Sequence, residues 1–244
     1  MNRRIPILAV VSGVLSVLCI VADAQGTLPT FIRDADSQLE EGRSTLDIDT
    51  LLAARRGFQS CVQQDPNNAR CYYDLGRTDS YLAKVKERYK DKAAAQHALD
   101  SGIENVQRSI VLDDSSADSH ALLADLYGRK IGFGGMFAAM RYGPKAEAEA
   151  KRALQLDVNN PQVYVVLGRR QLYSPKAFGG DADKAIESFR KSTTVAPHYD
   201  EGFVWLAIAY VKKGDSGAAK TALDEALRLN TRSAVALEMR SAMK

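Results

Sequence analysis

From residue 35 onward the apolar positions fall at helical spacing. The clearest stretch lies near the C-terminus, where Phe203, Leu206 and Tyr210 are three and four residues apart and Ala219, Leu223 and Ala226 repeat that spacing. Two such stripes in succession predict two helices packed against each other. Small residues recur at the matching place in four earlier stretches, so that Gly42, Gly76, Ala124, Gly168 and Ala207 form one series. Ala54, Gly102, Ala146, Ala185 and Ala219 form a second, and Cys61, Ser109, Ala153, Ser192 and Ala226 a third. Helix axes approach closely only where side chains are small, so the three series mark the contacts within five helix pairs. The pairs end at turn-forming words such as Asp65-Pro66-Asn67-Asn68, Asn159-Asn160-Pro161 and Ala196-Pro197. Ahead of them the pattern is different. Met1–Arg4 is basic, Ile5–Val21 is an apolar run, and Ala22-Asp23-Ala24 has the small-x-small form of a signal peptidase site.

The chain divides without gaps into residues 35–68, 69–116, 117–160, 161–199 and 200–233. Phe203-x2-Leu206-Ala207-x2-Tyr210 followed by Ala219-x3-Leu223-x2-Ala226 resembles the tetratricopeptide (TPR) repeat, whose period is 34 residues. The first and last units have that length; the middle three carry 14, 10 and 5 extra residues between their two helices. Where the family has a proline after the second helix, Asp114, Val158 and Thr231 stand instead. The resemblance implies an all-α, right-handed superhelical solenoid of five TPR pairs, with residues 234–244 as a capping helix. Residues 1–24 read as a signal peptide and 25–34 as a lead-in. The protein is therefore expected to be periplasmic or secreted, with an uncleaved anchor as the competing reading. No second apolar run is long enough to span a bilayer.

Export changes how the cysteines read. Beyond the leader only Cys61 and Cys71 remain, an even number in an oxidising compartment. The resemblance places them across the interface of the first two pairs, where a disulfide is reasonable; two separately buried thiols are the alternative. With no histidine nearby they do not suggest a metal site. His97, His120 and His198 lie in different repeats. No nucleophile elbow or Cys/His arrangement appears, so the chain reads as a non-enzyme without cofactor. Removing the leader leaves 31 basic and 29 acidic residues, too even a balance for a nucleic-acid binder acting through bulk charge.

Candidate chemistry concentrates in two places. By the family's pattern the first helices line the concave face, exposing Arg43, Tyr73, Arg77, Tyr81, Arg129, Arg169, Tyr173 and Lys212, with Asp125, Val165, Val204 and Ile208 among them. Arginine forks clamp carboxylates and tyrosines give rigid amphipathic contact, the chemistry of an anchor surface. The competing reading ties each arginine to a neighbouring acid. The second place is the inserts. Phe133-Gly134-Gly135 and Phe178-Gly179-Gly180 occupy corresponding sites, with Tyr142-Gly143-Pro144-Lys145 and Tyr173-Ser174-Pro175-Lys176 nearby. They either cover the solenoid edge or wall a pocket at one end of the groove.

The insert pattern, from Tyr142-Gly143-Pro144-Lys145 to Phe178-Gly179-Gly180-Asp181, resembles exported bacterial TPR proteins of undefined role. The TPR subtype that clamps chaperone C-termini uses Lys and Asn where Arg77, Asp125 and Arg169 stand here, so that role is not expected. The leading expectation is an exported adaptor or scaffold that binds a protein or peptide in its groove. The alternative is a small-ligand-binding accessory of a transporter, taking a small anionic ligand in a pocket walled by the Gly-Gly inserts. Gly179-Gly180-Asp181 before Ala185 and Phe189 is similar to the TPR subunit associated with TRAP-type transporters. Self-assembly as a homo-oligomer, with an insert filling a neighbour's groove, is a third reading.

Overall fold

A computed structural model describes residues 30–243; the segment read as a signal peptide, with its expected cleavage site, lies outside the described residues. Ten α-helices make up the described chain: α1 (Thr30–Thr45), α2 (Ile48–Gln64), α3 (Ala69–Arg88), α4 (Lys92–Leu112), α5 (Ala117–Leu156), α6 (Pro161–Tyr173), α7 (Ala182–Val195), α8 (Asp200–Lys213), α9 (Ser216–Leu229) and α10 (Ala234–Ala242). No strand occurs among the described residues. Helix α1 begins inside the stretch read as a lead-in. Its Ile32 lies three residues before Ala35 and seven before Leu39, and all three are buried, so the apolar stripe carries the helix back.

Among the described residues eight helix starts are capped by a side-chain acceptor on the first turn: Asp47, Asn68, Asp91, Ser116, Asn160, Asp181, Asp215 and Ser233. Such caps satisfy backbone donors that a helix start otherwise leaves open. Helix α8 is different: Tyr199 at its N-cap makes no side-chain bond to the backbone of the first turn, and two acids, Asp200 and Glu201, follow.

Consecutive helices pack in antiparallel-pair order, α1 on α2, α3 on α4, the two halves of α5, α6 on α7 and α8 on α9. The small residues sit where the axes close. A Cβ on Gly76 would fall 2.3 Å from Val106 Cγ2, and one on Gly168 would fall 2.5 Å from the Phe189 ring. Cys61, Ser109, Ala153, Ser192 and Ala226 are all essentially fully buried; Ala146, opposite Ala124, is only partly so. Cys61 on α2 and Cys71 on α3 are joined as a disulfide, with their Cα atoms 6.2 Å apart.

The extra residues of the second pair extend α3 and α4. Those of the third form no loop. Helix runs on through α5, interrupted by non-helical backbone at Gly135 (φ 59°, ψ −138°), and Pro144 lies within the helix that follows. Those of the fourth form a 3-10 turn, Lys176–Phe178, closed by Gly179 at φ 86°.

The solenoid curves far enough for its two ends to meet. Arg43 of α1 bonds Asp200 of α8 across 157 residues at 3.0 Å, Asn230 donates to Ser44 Oγ at 3.0 Å, and Arg232 pairs with Glu41. Val235 of α10 packs against both the first and the last apolar clusters.

Candidate functional site

Closure turns the concave face into a cavity of about 440 Å³, walled by α1, α3, the first half of α5, α6 and α8. One helix of each pair contributes, because residues three, four and seven apart share a helix face and the same face repeats from pair to pair. Arg43, Tyr73, Arg77, Tyr81, Arg129 and Arg169 all line it, with Asp125 and Val165. Val204 and Ile208 line a smaller adjoining cavity of about 80 Å³ at the seam between the ends.

Two of the expected groove residues fall elsewhere. Tyr173 and Lys212 end their helices beyond the chamber. Tyr173 is exposed, lies edge-on to Trp205, and carries the Lys212 ammonium 4.6 Å above its ring; that ammonium donates to Leu172 O at 2.7 Å. The inserts also fall outside. None of Phe133, Gly134, Gly135, Phe178, Gly179 or Gly180 lines either cavity. The wall of this chamber comes from helix faces, while the third insert is taken up as helix and the fourth as a tight turn.

The arginines hold acids from other helices. Glu40 accepts from Arg43 Nε and from Arg77 Nη2, each at 2.9 Å, which ties α1 to α3. Arg77 also reaches Asp74 at 3.3 Å and lies 5.7 Å from the Tyr73 ring centre. Arg129 donates to Ser80 O at 2.8 Å and to Glu87 at 2.6 Å. Arg169 pairs with Asp125 and stacks over Trp205 at 4.6 Å, while Trp205 stacks on Phe189 from the core side.

At the centre stands Glu201, which accepts from Tyr199 at 2.9 Å and from Tyr81 at 3.2 Å. Burial pushes its carboxyl up, but Lys84, Arg43 and the two hydroxyls outweigh burial and hold it below the usual range. Burial pulls the Lys84 ammonium down; Arg169 and Arg129 add to that, against the attraction of Glu201.

Hydrogen bonding in the chamber is unequal. Glu40, Glu87, Asp118, Asp125, Asp200 and Glu201 each accept from a protein donor. Two cationic donors are left over. Arg169 Nε is buried without a partner, and Lys84 Nζ bonds to no acceptor among the described residues, its nearest aromatic ring being Tyr81 at 6.0 Å. A buried donor without an acceptor is costly, which applies to Arg169 Nε; Lys84 Nζ, on a half-buried side chain, is open to an acceptor from outside the chain. Sequence reasoning misses Glu201 and Lys84 as chamber residues. Lys84 reads as part of the lengthened second repeat, where only its position seven residues after Arg77 and three after Tyr81 marks the inward face.

Outside the chamber, His120 is a buried packing residue, its Nδ1 2.6 Å from Glu149 Oε2. Among the described residues no group of three His, Cys, Asp or Glu could hold a metal ion, and no helix is long and apolar enough to cross a membrane.

Residues 201–232 match the family model of the tetratricopeptide repeat. No curated protein matches the chain. Among solved structures it is similar to TTC0263, a thermophilic TPR protein of Thermus thermophilus, at 16% identity and TM-score 0.62 over 86% of this chain and 98% of that one. It is also similar to MamA, at 21% identity and TM-score 0.42 over 84% and 92% of the two chains. YrrB, a TPR protein with an unusual peptide-binding site, aligns at 19% identity and TM-score 0.40 over 86% and 90%. The likeness to TTC0263 is one of fold. Its helix pairs close through small residues, its last full pair matches the model of the tetratricopeptide repeat, and its array shares the fold of TTC0263.

Proposed function

We propose that this protein is an exported binding scaffold, not a catalyst, and that its concave chamber receives the anionic end of a protein or peptide partner. The observation that carries the reading is the pair of cationic donors, Lys84 Nζ and Arg169 Nε, left without acceptors in a chamber whose carboxylates are all bonded. A carboxylate entering there would gain charge-assisted hydrogen bonds that no side chain of the described protein supplies. Trp205 and Tyr73 would flank it with flat apolar surface. A cavity of about 440 Å³ suits the end of a chain or a small loop, not a long extended segment.

The same volume supports a second reading. It falls within the range of small-molecule sites, roughly 300–1,000 Å³, which favours a small organic anion and a role as an accessory to a transporter.

Photo-crosslinking in the native host, with p-azidophenylalanine in place of Tyr73, separates the two. A discrete high-mass adduct that Lys84→Glu and Arg169→Glu abolish is the result expected of a protein partner. A small mass retained on the purified chain in native mass spectrometry, without an adduct, selects the second reading. An adduct at twice the chain mass, or neither adduct nor retained mass, overturns both.

A further inference from the structure

The third insert has a feature that the chamber does not use. After the break at Gly135 the helix resumes, and Tyr142, Ala146, Ala150 and Ala153 turn toward the core. At 100° per residue, Met136 then points to the side, and Phe137 and Met140 point the opposite way. They are 58%, 86% and 71% exposed, three large apolar side chains within five residues. An isolated exposed apolar residue needs no explanation, but a cluster on the outward face of an ordered helix marks a contact surface.

The charge around it identifies the contact. No Asp or Glu occurs between Asp125 and Glu147, whereas Arg129, Lys130, Arg141 and Lys145 do. Arg129 and Lys130 are taken by Glu87 and Asp100. Arg141 and Lys145 are not: they lie 5.2 Å and 5.7 Å from the ring centres of Tyr142 and Tyr127 and pair with no carboxylate among the described residues. On the same helix they follow Phe137 by four and eight residues, at the margin of the apolar face. We infer that this face rests on an anionic lipid bilayer, with Phe137, Met136 and Met140 entering the headgroup–acyl boundary and Arg141 and Lys145 pairing with lipid phosphates. Apolar insertion bordered by free basic side chains is the chemistry of interfacial membrane binding. The chamber opens on helix faces that do not include this segment, so the inference stands apart from the proposed function.

Flotation with vesicles tests it. The protein is purified from an exporting host, and all variants share one N-terminus, so any contribution of residues 1–24 cancels. Wild type is expected to float with phosphatidylglycerol–phosphatidylcholine vesicles and not with phosphatidylcholine alone. Phe137→Asp with Met140→Asp should weaken flotation at least about tenfold. Arg141→Glu with Lys145→Glu should weaken it and remove its salt sensitivity. Unchanged helical circular dichroism, and the milder Met140→Gln, keep lost binding distinct from lost fold. Failure of wild type to float on phosphatidylglycerol vesicles, or full binding by the double aspartate variant, overturns the inference. So does self-association in sedimentation that the aspartates abolish while wild type ignores vesicles, since the face then joins two copies.

Discussion

The inner wall and the outer edge of this solenoid are built from similar residues and held by different means. On the inner wall the arginines are met by acids from other helices, and the wall's shape depends on residues as far apart as Arg43 and Asp200. On the outer edge Arg141 and Lys145 meet only rings from nearby, and the conformation follows from local backbone. The two Phe-Gly-Gly words make the local point. In one, Gly135 breaks a helix that at once resumes. In the other, Pro175 has already ended α6, Gly180 N bonds back to Pro175 O at 3.1 Å, and Asp181 caps the next helix. The same three letters yield a kink or a turn according to what flanks them, because glycine permits a reversal without specifying one.

The largest effect should come from cutting the long-range support. Arg43→Ala leaves Asp200, whose side chain is 8% exposed, with only the amide of Asn230. Removing one partner of a largely buried pair costs about 3 kcal/mol, and the loss should appear as a lower urea midpoint. Arg232→Ala, cut from the same seam, breaks a pair with Glu41 that stands in solvent and should leave the midpoint nearly unchanged. Equal effects from the two would mean that the seam is not held from the chamber side.

A smaller effect, on the edge, tests the local half of the contrast. A Cβ at Gly180 would lie 1.8 Å from Ser174 O, so the turn must move to admit it. Gly180→Ala should cost about 2–3 kcal/mol. At Gly135 a Cβ meets nothing within 4 Å, and only the positive φ opposes substitution. Gly135→Ala should cost about 1–2 kcal/mol, measured by the same denaturation. Reversal of that order would make the kink, not the turn, the tightly built element.

How far these features can be read from sequence follows the same division. The helix pairs are legible because small residues at Gly76, Gly168 and Ala207 report contacts only a few dozen residues away. The inward positions of Arg77 and Arg169 are legible because the period repeats. That Glu201 faces Tyr81 is not, since it depends on small rotations summed over five repeats, which no local pattern encodes. Tyr173 and Lys212 obey the period but sit a turn too far along their helices, where the wall has ended. The kink at Gly135 is hidden for the opposite reason: glycines, a tyrosine and Pro144 suggest a loop, yet Ala138, Ala139, Ala146 and the alanines beyond are strong helix formers.

The smallest effect is on pH dependence, and it sets inner-wall carboxylates against buried carboxylates of α3 that do not line the chamber. Glu201 and Glu40 are held below the usual carboxylate range: burial opposes it in both, and Lys84 with Arg43 at Glu201, and Arg43 with Arg77 at Glu40, prevail. Groups of that kind bind protons less readily folded than unfolded. Their stabilisation is complete above the ordinary carboxylate range and is lost as pH falls toward their depressed folded values. Asp74 and Asp79 are displaced upward, because burial there outweighs Arg77 and Arg70 at the first and Arg55 and Asn105 at the second. They bind protons more readily folded, so their contribution falls as pH rises through the ordinary range and recovers on acidification. The two pairs therefore partly cancel, and the denaturation midpoint should decline only slightly between neutral and mildly acidic pH. Glu201→Gln removes one depressed group and should flatten or reverse that decline, whereas Asp79→Asn should steepen it. The edge variants Arg141→Glu and Lys145→Glu should leave the slope alone. A pH slope that follows the edge charges and ignores Glu201 would place the coupling between the two ends outside the chamber.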